Sequence, residues 1–417
     1  MVTGKEALRD ALNHKGGGKI PIDFGATAVT GMHVSRVSAL RDFYGLEKRP
    51  VKVVEPFQML GEIDGELKQI MGVSVDGVTG KNTMFGFANE GWKSWALNGL
   101  EVLVPRNFNV SGDGRGGYYL YPQGDMSAQP SGRMPQGGVY FDAVIRQEGI
   151  EEENLNPEDN LEEFQLLTEP ELRHFKESAE AAAQTGRGVI LSAPGAGLGD
   201  IALVPGIGML NPKGIRDVEE WYVSTATRRD YLHAVFERQT DVAVENLSAI
   251  NGAAGELIDA VFLCGTDFGT QTGTFCSRET FRELYMPYYK KMNGWIRKNT
   301  SWKVFKHSCG AIGSLLDDLL EAGFDIINPV QCSAAGMDPR ELKKVYGDRL
   351  TFWGGGVDTQ RVLPFGTAEE VAEQVAERCE IFAQSGGFVF NAIHNVQAGT
   401  PVENIAAMIE TVKKINA

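Results

Sequence analysis

Along the C-terminal half of the chain, short runs of β-branched and aromatic residues alternate with longer stretches whose apolar positions recur at helical spacing. The runs cover residues 258–264, 303–306, 325–329, 350–353 and 388–392. Between them lie amphipathic stretches at 278–298, 315–322, 339–345 and 368–384, the second closed by Gly323 as a helix stop. Alternation of this kind predicts βα units and a parallel sheet. Upstream, residues 189–191 read as a further strand with Ser192-Ala193-Pro194-Gly195 as its exit loop. Residues 20–24 read as the first strand, followed by a small-residue loop and a helix to Tyr44, and residues 161–185 and 217–250 are helical by pattern. The strand count comes close to eight. The expected fold is therefore α/β, a (β/α)8 TIM-type barrel forming a single domain over residues 1–417.

Residues 82–144 break the pattern. The runs 101–105 and 117–121 flank Ser111-Gly112-Asp113-Gly114, which predicts a β-hairpin between them. The stretch is rich in Gly, Asn and aromatic residues and reads as a β-rich insertion or lid over one end of the barrel. A loose surface loop is the alternative, although loops this long are uncommon in compact domains. Its aromatics Phe85, Phe87, Trp92 and Tyr118 are either the insertion's own core or part of a surface. Residues 148–163 form an acidic connector.

Composition narrows the partners. With 40 Lys plus Arg against 55 Asp plus Glu, the net charge of −15 works against nucleic acid or an anionic membrane as a partner. Five cysteines, an odd and sparse set, do not form a disulfide framework and suggest reduced thiols. The N-terminus is polar and no apolar run approaches the roughly 18–20 residues of a membrane span. The expectation is a cytoplasmic protein, with a homodimer left open.

Parallel barrel strands carry functional residues at their C-terminal ends, and the unusual residues of this chain fall there. Asp23 ends the first strand. Cys264 and Asp267 follow the run at 258–263, and His307 and Cys309 close the next. Asn328 and Gln331 follow, then Gly354-Gly355-Gly356 with Asp358, then Asn391, His394 and Asn395. Six polar clusters at six exits argue for one shared pocket. In it Asn328, Gln331, Asp358 and Asn391 are substrate-binding candidates, joined by His33 beyond the first exit. On an extended segment His-x-Cys places both side chains on one face, and imidazole and thiolate are both zinc ligands. His394 is the best third ligand, with Cys332, Cys264 and Asp267 as alternatives. The three glycines either cradle an anion or turn the backbone; no Lys-Ser/Thr follows to make a phosphate loop. Cys276 and Cys379 lie in helical patterns and read as core thiols.

These residues resemble the uroporphyrinogen decarboxylase superfamily. The resemblance rests on Phe305-Lys306-His307-Ser308-Cys309-Gly310, Gly323-Phe324-Asp325, Gly354-Gly355-Gly356-Val357-Asp358-Thr359, Asn391-Ala392-Ile393-His394 and Thr400-Pro401-Val402-Glu403-Asn404. Asp267-Phe268-Gly269-Thr270-Gln271 and Tyr285-Met286-Pro287-Tyr288 add to it. It covers residues 185–417 well, is thinner over 1–80, and is poor over the β-rich stretch. True decarboxylases of the superfamily are metal-free and hold porphyrinogen carboxylates with an arginine-bearing N-terminal loop. Here that loop is Gly25-Ala26-Thr27-Ala28-Val29-Thr30-Gly31, with Arg36 and Arg41 further on. The zinc-dependent, corrinoid-linked methyltransferase branch carries His-x-Cys and a third ligand, usually Cys, before Thr-Pro-x-Glu-Asn. His307 and Cys309 match that branch, and His394 stands where it has Cys.

The resemblance implies a methyltransferase that uses zinc at His307, Cys309 and His394. A methyl group would pass between a small O-, N- or S-methyl substrate, or a thiol acceptor, and a corrinoid (cobalamin). The chain shows no Asp-x-His-x-x-Gly corrinoid motif, so the corrinoid would arrive on a separate protein. Asp267 or Asp23 would orient groups or move protons. The alternatives are a metal-free decarboxylase of a smaller acid, with Asp23, Asp267 and His394 in acid/base roles, and a non-catalytic barrel that binds a corrinoid or tetrapyrrole.

Overall fold

A computed structural model describes residues 3–161 and 163–417, the side chain of Cys264 excepted. Seven strands form one all-parallel sheet in chain order: β1 (Val75–Val78), β2 (Gly188–Ser192), β3 (Ala260–Cys264), β4 (Lys303–His307), β5 (Ile326–Asn328), β6 (Thr351–Trp353) and β7 (Phe388–Val389). Each strand pairs in parallel with the next, and helices fill the connections, as βα alternation requires. The fold is α/β. Strands β2 to β7 were all legible in the pattern; β1 was not.

Residues 20–24 make less of a strand than expected. Their regular pairing reduces to a parallel bridge between Ile22 and Phe390. Pro21 has no N–H to donate, and only its carbonyl takes part, accepting from Phe390 N–H at 2.8 Å. The segment is nevertheless bonded on both sides. Asp23 N–H donates to Phe390 O at 2.9 Å, and Ser74 N–H, just before β1, donates to Ile22 O at 2.7 Å.

Inside the sheet, Val75, Ile190, Ala260, Phe305, Ile326, Trp353 and Val389, one from each strand, pack in a single buried cluster with Ala26. The helix Gly4–Leu12 adds Leu8, Ala11 and Leu12 to the same cluster. This helix starts with a capping box between Thr3 and Glu6. It is fastened by Asp259, which accepts from Arg9 Nε at 2.7 Å and from Val189 N–H at 2.9 Å. Outside the sheet, the helices Glu169–Gln184, Arg229–Ala254, Met286–Asn299, Ala368–Phe382 and Val402–Ile415 bury their apolar stripes. The helical reading of 217–250 is divided in two at Arg228, between Val218–Thr227 and Arg229–Ala254.

The β-rich stretch is paired differently from the expectation. Strand Leu100–Val104 pairs with Lys93–Leu97 through the two-residue turn Asn98-Gly99, where φ is 48° and 87°. Asn-Gly is the favoured pair for that turn. The Ser111–Gly114 region does turn, but its hairpin joins Val110–Gly112 to Tyr118–Leu120. This second sheet continues through Gly132–Met134 to Asp142–Ala143. The first sheet also takes in Val51–Glu55 and Leu60–Gly61, so β structure begins well before residue 82. Phe85, Phe87, Phe108 and Phe141 are buried with their rings in contact, which makes the first two part of this region's own core. Among the described residues no helix is long and apolar enough to cross a membrane.

Candidate metal centre

His307 is the last residue of β4, and Cys309 lies two residues on in its exit. Extended backbone puts both side chains on one face, and Cys309 Sγ stands 3.5 Å from His307 Nε2. His394 arrives from the exit after β7, its ring 5.4 Å from that of His307, centroid to centroid. One ligand atom from each of the three lies within 4.8 Å of the others.

The protonation pattern follows from the neighbours. Asn328, at the end of β5, donates its amide N–H to Trp353 O at 2.8 Å, which fixes which end of the amide is which. Its oxygen then faces His307 Nδ1 at 2.6 Å. An amide oxygen only accepts, so Nδ1 carries the proton and Nε2 presents its lone pair towards Cys309. Burial pushes His307 down to about 4, and the same cause pushes His394 to about 4, so both rings are neutral at ordinary pH. Burial, and then the charge of Asp267, hold the Cys309 thiol far above the usual thiol range. A divalent cation reverses that preference, because it stabilises the thiolate.

The donor set fits a tetrahedral zinc ion. With bonds of about 2.0–2.3 Å, neighbouring N and S ligands stand about 3.6 Å apart. The His307–Cys309 pair already has that separation, and a modest approach of His394 completes three ligands. Among the described residues neither His394 nitrogen has a hydrogen-bond partner.

Surrounding bonds hold this corner rigid. Asp267 Oδ1 accepts from Cys309 N–H at 2.7 Å and lies 3.9 Å from His307 Nε2. Gln331 accepts from Gly310 N–H at 2.8 Å, and Ser308 Oγ accepts from Phe268 N–H at 2.8 Å. Beneath them the fully buried Lys306 ammonium donates to Thr266 O at 2.6 Å and His307 O at 2.7 Å, joining the exits of β3 and β4.

The structure thus brings together His307, Cys309, His394 and Asp267 from four candidate positions. The other candidates also make bonds within the protein. Asn328 orients His307 with both ends of its amide engaged, and the Gln331 oxygen holds the turn after Cys309. Asp23 is fully buried, accepting from Trp353 Nε1 at 2.9 Å and Ala26 N–H at 3.1 Å. Burial raises it to about 6. Asn391 donates to Asp23 O at 2.6 Å. Asp358 caps a turn, accepting from Gln360 and Arg361 N–H. Both nitrogens of His33 are engaged, with Ser35 Oγ and Val139 O at 2.8 Å each, so it ties its helix start to the β-rich region. The Cys332 thiol turns to Val330 O, and the proposed ligation by Cys264 lies outside the described residues. Sequence reasoning did not single out Lys306, nor Asp200 and Tyr222, whose charges or hydroxyls lie within electrostatic reach of Asp267. Asp200 sits in the Gly-rich exit after β2, a position that strand-end logic had flagged only as far as Gly195. Tyr222 lies within a helix, where nothing in the pattern marks it.

The family model described as Uroporphyrinogen decarboxylase (URO-D) matches residues 207–415, half of the chain. The chain belongs to the uroporphyrinogen decarboxylase family. Within it, a methylated-thiol–coenzyme M methyltransferase of Methanosarcina mazei is 26% identical over 204 residues, which is 48% of each chain. A uroporphyrinogen decarboxylase of Coxiella burnetii is 22% identical over 195 residues, 45% of this chain and 48% of that one. This places the chain nearer the methyltransferase side of the family. The matches span about half the length of these curated relatives. A solved methyltransferase from Methanosarcina mazei superposes over 100% of both chains with a TM-score of 0.54 at 14% identity, which speaks for the fold.

Proposed function

We propose that this family member is a zinc-dependent methyltransferase that moves a methyl group between a small O-, N- or S-methyl substrate, or a thiol acceptor, and a corrinoid carried by a separate protein. The observation that carries the reading is the triad: an unprotonated His307 Nε2 at 3.5 Å from Cys309 Sγ, with His394 alongside. Zinc, when bound by these three, supplies Lewis acidity at the substrate heteroatom in the position left open. The rest is done by the protein. Asn328 keeps His307 in the ligating tautomer. Asp267 holds the Cys309 backbone and contributes negative charge beside the centre. We take the fold as a closed (β/α)8 barrel in one domain, with residues 20–24 as the eighth strand bonded between β7 and β1, and the region 82–144 as the lid that meets the corrinoid protein.

Grip on a polycarboxylate is poorly supported. The glycine- and threonine-bearing loop at 25–31 has no arginine. Arg36 donates to Thr400 O at 3.0 Å, and Arg41 is buried and paired with Asp64. These arginines are already occupied, which works against the decarboxylase reading. Elemental analysis of purified protein is the first test. About one zinc per chain is expected, lost in His307→Ala and Cys309→Ala. Zinc-loaded protein incubated with methyl compounds and free cob(I)alamin should then yield methylcob(III)alamin. Full activity in metal-free protein would sink the proposal.

A further inference from the structure

Removing a methyl group from oxygen or nitrogen leaves an electron pair on a poor leaving group, and that pair needs a proton. Asp267 is badly placed to give one. Its Oδ1 already accepts from Cys309 N–H at 2.7 Å, which ties the carboxyl to the ligand-bearing turn. Asp200 is a further carboxyl, within electrostatic reach of Asp267 and Cys309. It sits in the exit of β2, where Oδ1 accepts from Ala202 N–H at 3.0 Å. Its Oδ2 is pressed against Gly265, two residues before Asp267; a Cβ on Gly265 would fall 2.6 Å from that oxygen. Only a glycine leaves room for the carboxyl there. Tyr222 closes the same corner. Its ring stacks on Phe275 at 5.0 Å, and its hydroxyl is buried with no hydrogen-bond partner among the described residues.

We propose that Asp200 is a further catalytic residue of this site: the acid that protonates the heteroatom released when a substrate is demethylated. This rests on the methyltransferase reading. The bond between methyl carbon and heteroatom breaks with its electron pair left on the heteroatom, which takes the proton of Asp200. The methyl carbon bonds to the nucleophilic cob(I) centre of the corrinoid, which supplies the electron pair for the new bond. Solvent returns a proton to the Asp200 carboxylate. The groups that face Asp200 are consistent with a retained proton. Burial and the neighbouring Asp267 raise it, while the Ala202 and Gly265 N–H groups and the Lys306 ammonium oppose the rise. Tyr222, raised to about 12, and Cys309 lie within electrostatic reach and are both uncharged in the metal-free protein. The unpartnered Tyr222 hydroxyl is the group that holds the heteroatom against Asp200.

The test uses zinc-loaded full-length protein, free cob(I)alamin and methyl donors of graded leaving ability: an aliphatic methyl ether, a methoxyarene and a methylsulfonium, which departs as a neutral thioether. Asp200→Asn should slow the ethers by about 10²–10⁴-fold and the sulfonium by a few-fold at most, with zinc content unchanged by elemental analysis. In the native protein, kcat for an ether should fall at high pH as Asp200 ionises. That limb should be absent with the sulfonium, a comparison that needs no variant to fold. Equal loss on every donor, undiminished ether turnover, or a limb shared by the sulfonium would overturn the role of Asp200 alone. No transfer from any donor by the zinc-loaded native protein would overturn the methyltransferase reading beneath it.

Discussion

Asn328 gives the sharpest check on the metal centre, because its side chain meets the candidate ligands through His307. Asn328→Leu removes the acceptor 2.6 Å from His307 Nδ1 and leaves a buried N–H without a partner. The imidazole is then free to move its proton to Nε2, the atom that faces Cys309, and a protonated nitrogen does not ligate. Loss of an orienting partner of a metal-bound histidine typically weakens metal binding 10–100-fold, or about 1.4–2.7 kcal/mol. The separate cost of an unsatisfied buried group, about 1–3 kcal/mol, is of the same size. Two routes to one magnitude make the expectation firm. The assay is competition for zinc against a chromophoric chelator, with circular dichroism to confirm that the variant is folded. Asn328→Asp is the companion variant: it restores an acceptor for Nδ1–H and should recover most of the affinity. If folded Asn328→Leu held zinc as tightly as the native protein, the tautomer assignment and the ligand role of His307 would both be refuted.

Three further outcomes are expected. Burial raises the folded-state pKa of Asp23 to about 6 from its ordinary value of 3.8, so the native state binds the extra proton between those values. Stability from this group is present below about pH 4 and is lost as pH rises through 6, by up to about 3 kcal/mol. Urea melts of native protein and Asp23→Asn should therefore differ more in favour of the variant at pH 7.5 than at pH 4.5; a constant difference would contradict it. Gly77→Ala places a Cβ 1.9 Å from Ala26 O inside β1 and should cost about 3 kcal/mol or more, read as a drop in thermal midpoint. His394→Ala should leave His307 and Cys309 as two ligands and lower zinc affinity by at least about tenfold; unchanged stoichiometry and affinity would show that His394 is a pocket residue only.

Six of the seven parallel strands were readable because each is an apolar run that stops at a polar exit, as strands buried on both faces do. The missing one, β1, is Val-Asp-Gly-Val. Its Asp76 turns to Lys68, Thr185 and Arg187, and its Gly77 is required by the backbone of Ala26. Tertiary contacts thus put into the strand the two residue types that strand propensity disfavours. The hairpin error has a local cause as well. Two turn signals stand fifteen residues apart, and Asn98-Gly99, the stronger one, claims the strand 100–104 first. At the site, the His307, Cys309 and His394 cluster was legible because strand exits and residue alternation bring those positions together. The roles of Asn328, Gln331 and His33 were not, since a polar residue near a pocket gives no sign of whether it faces the ligand or braces a neighbour. Asp200 comes from a loop with no periodic signature, and Tyr222 from a helix whose pattern does not mark it.

On the proposed zinc reading, the histidine at 394 changes the charge of the centre, and the surroundings answer that change. One thiolate and two neutral imidazoles leave a bound divalent ion with a net charge of +1, where the two thiolates usual in the methyltransferase branch would leave zero. Asp267 supplies the missing negative charge from outside the ligand set, bonded to Cys309 N–H and 3.9 Å from His307 Nε2. A charge held at that distance steadies the ion without donating electron density to it, so the open position stays more electrophilic than it would beside a second thiolate. Burial, with Asp267 beside it, raises Asp200, which is the direction that the proposed acid role needs. On that reading, Asp267 serves both the centre that carries His394, through its place beside His307 and Cys309, and the acid role of Asp200, through its place beside that carboxyl.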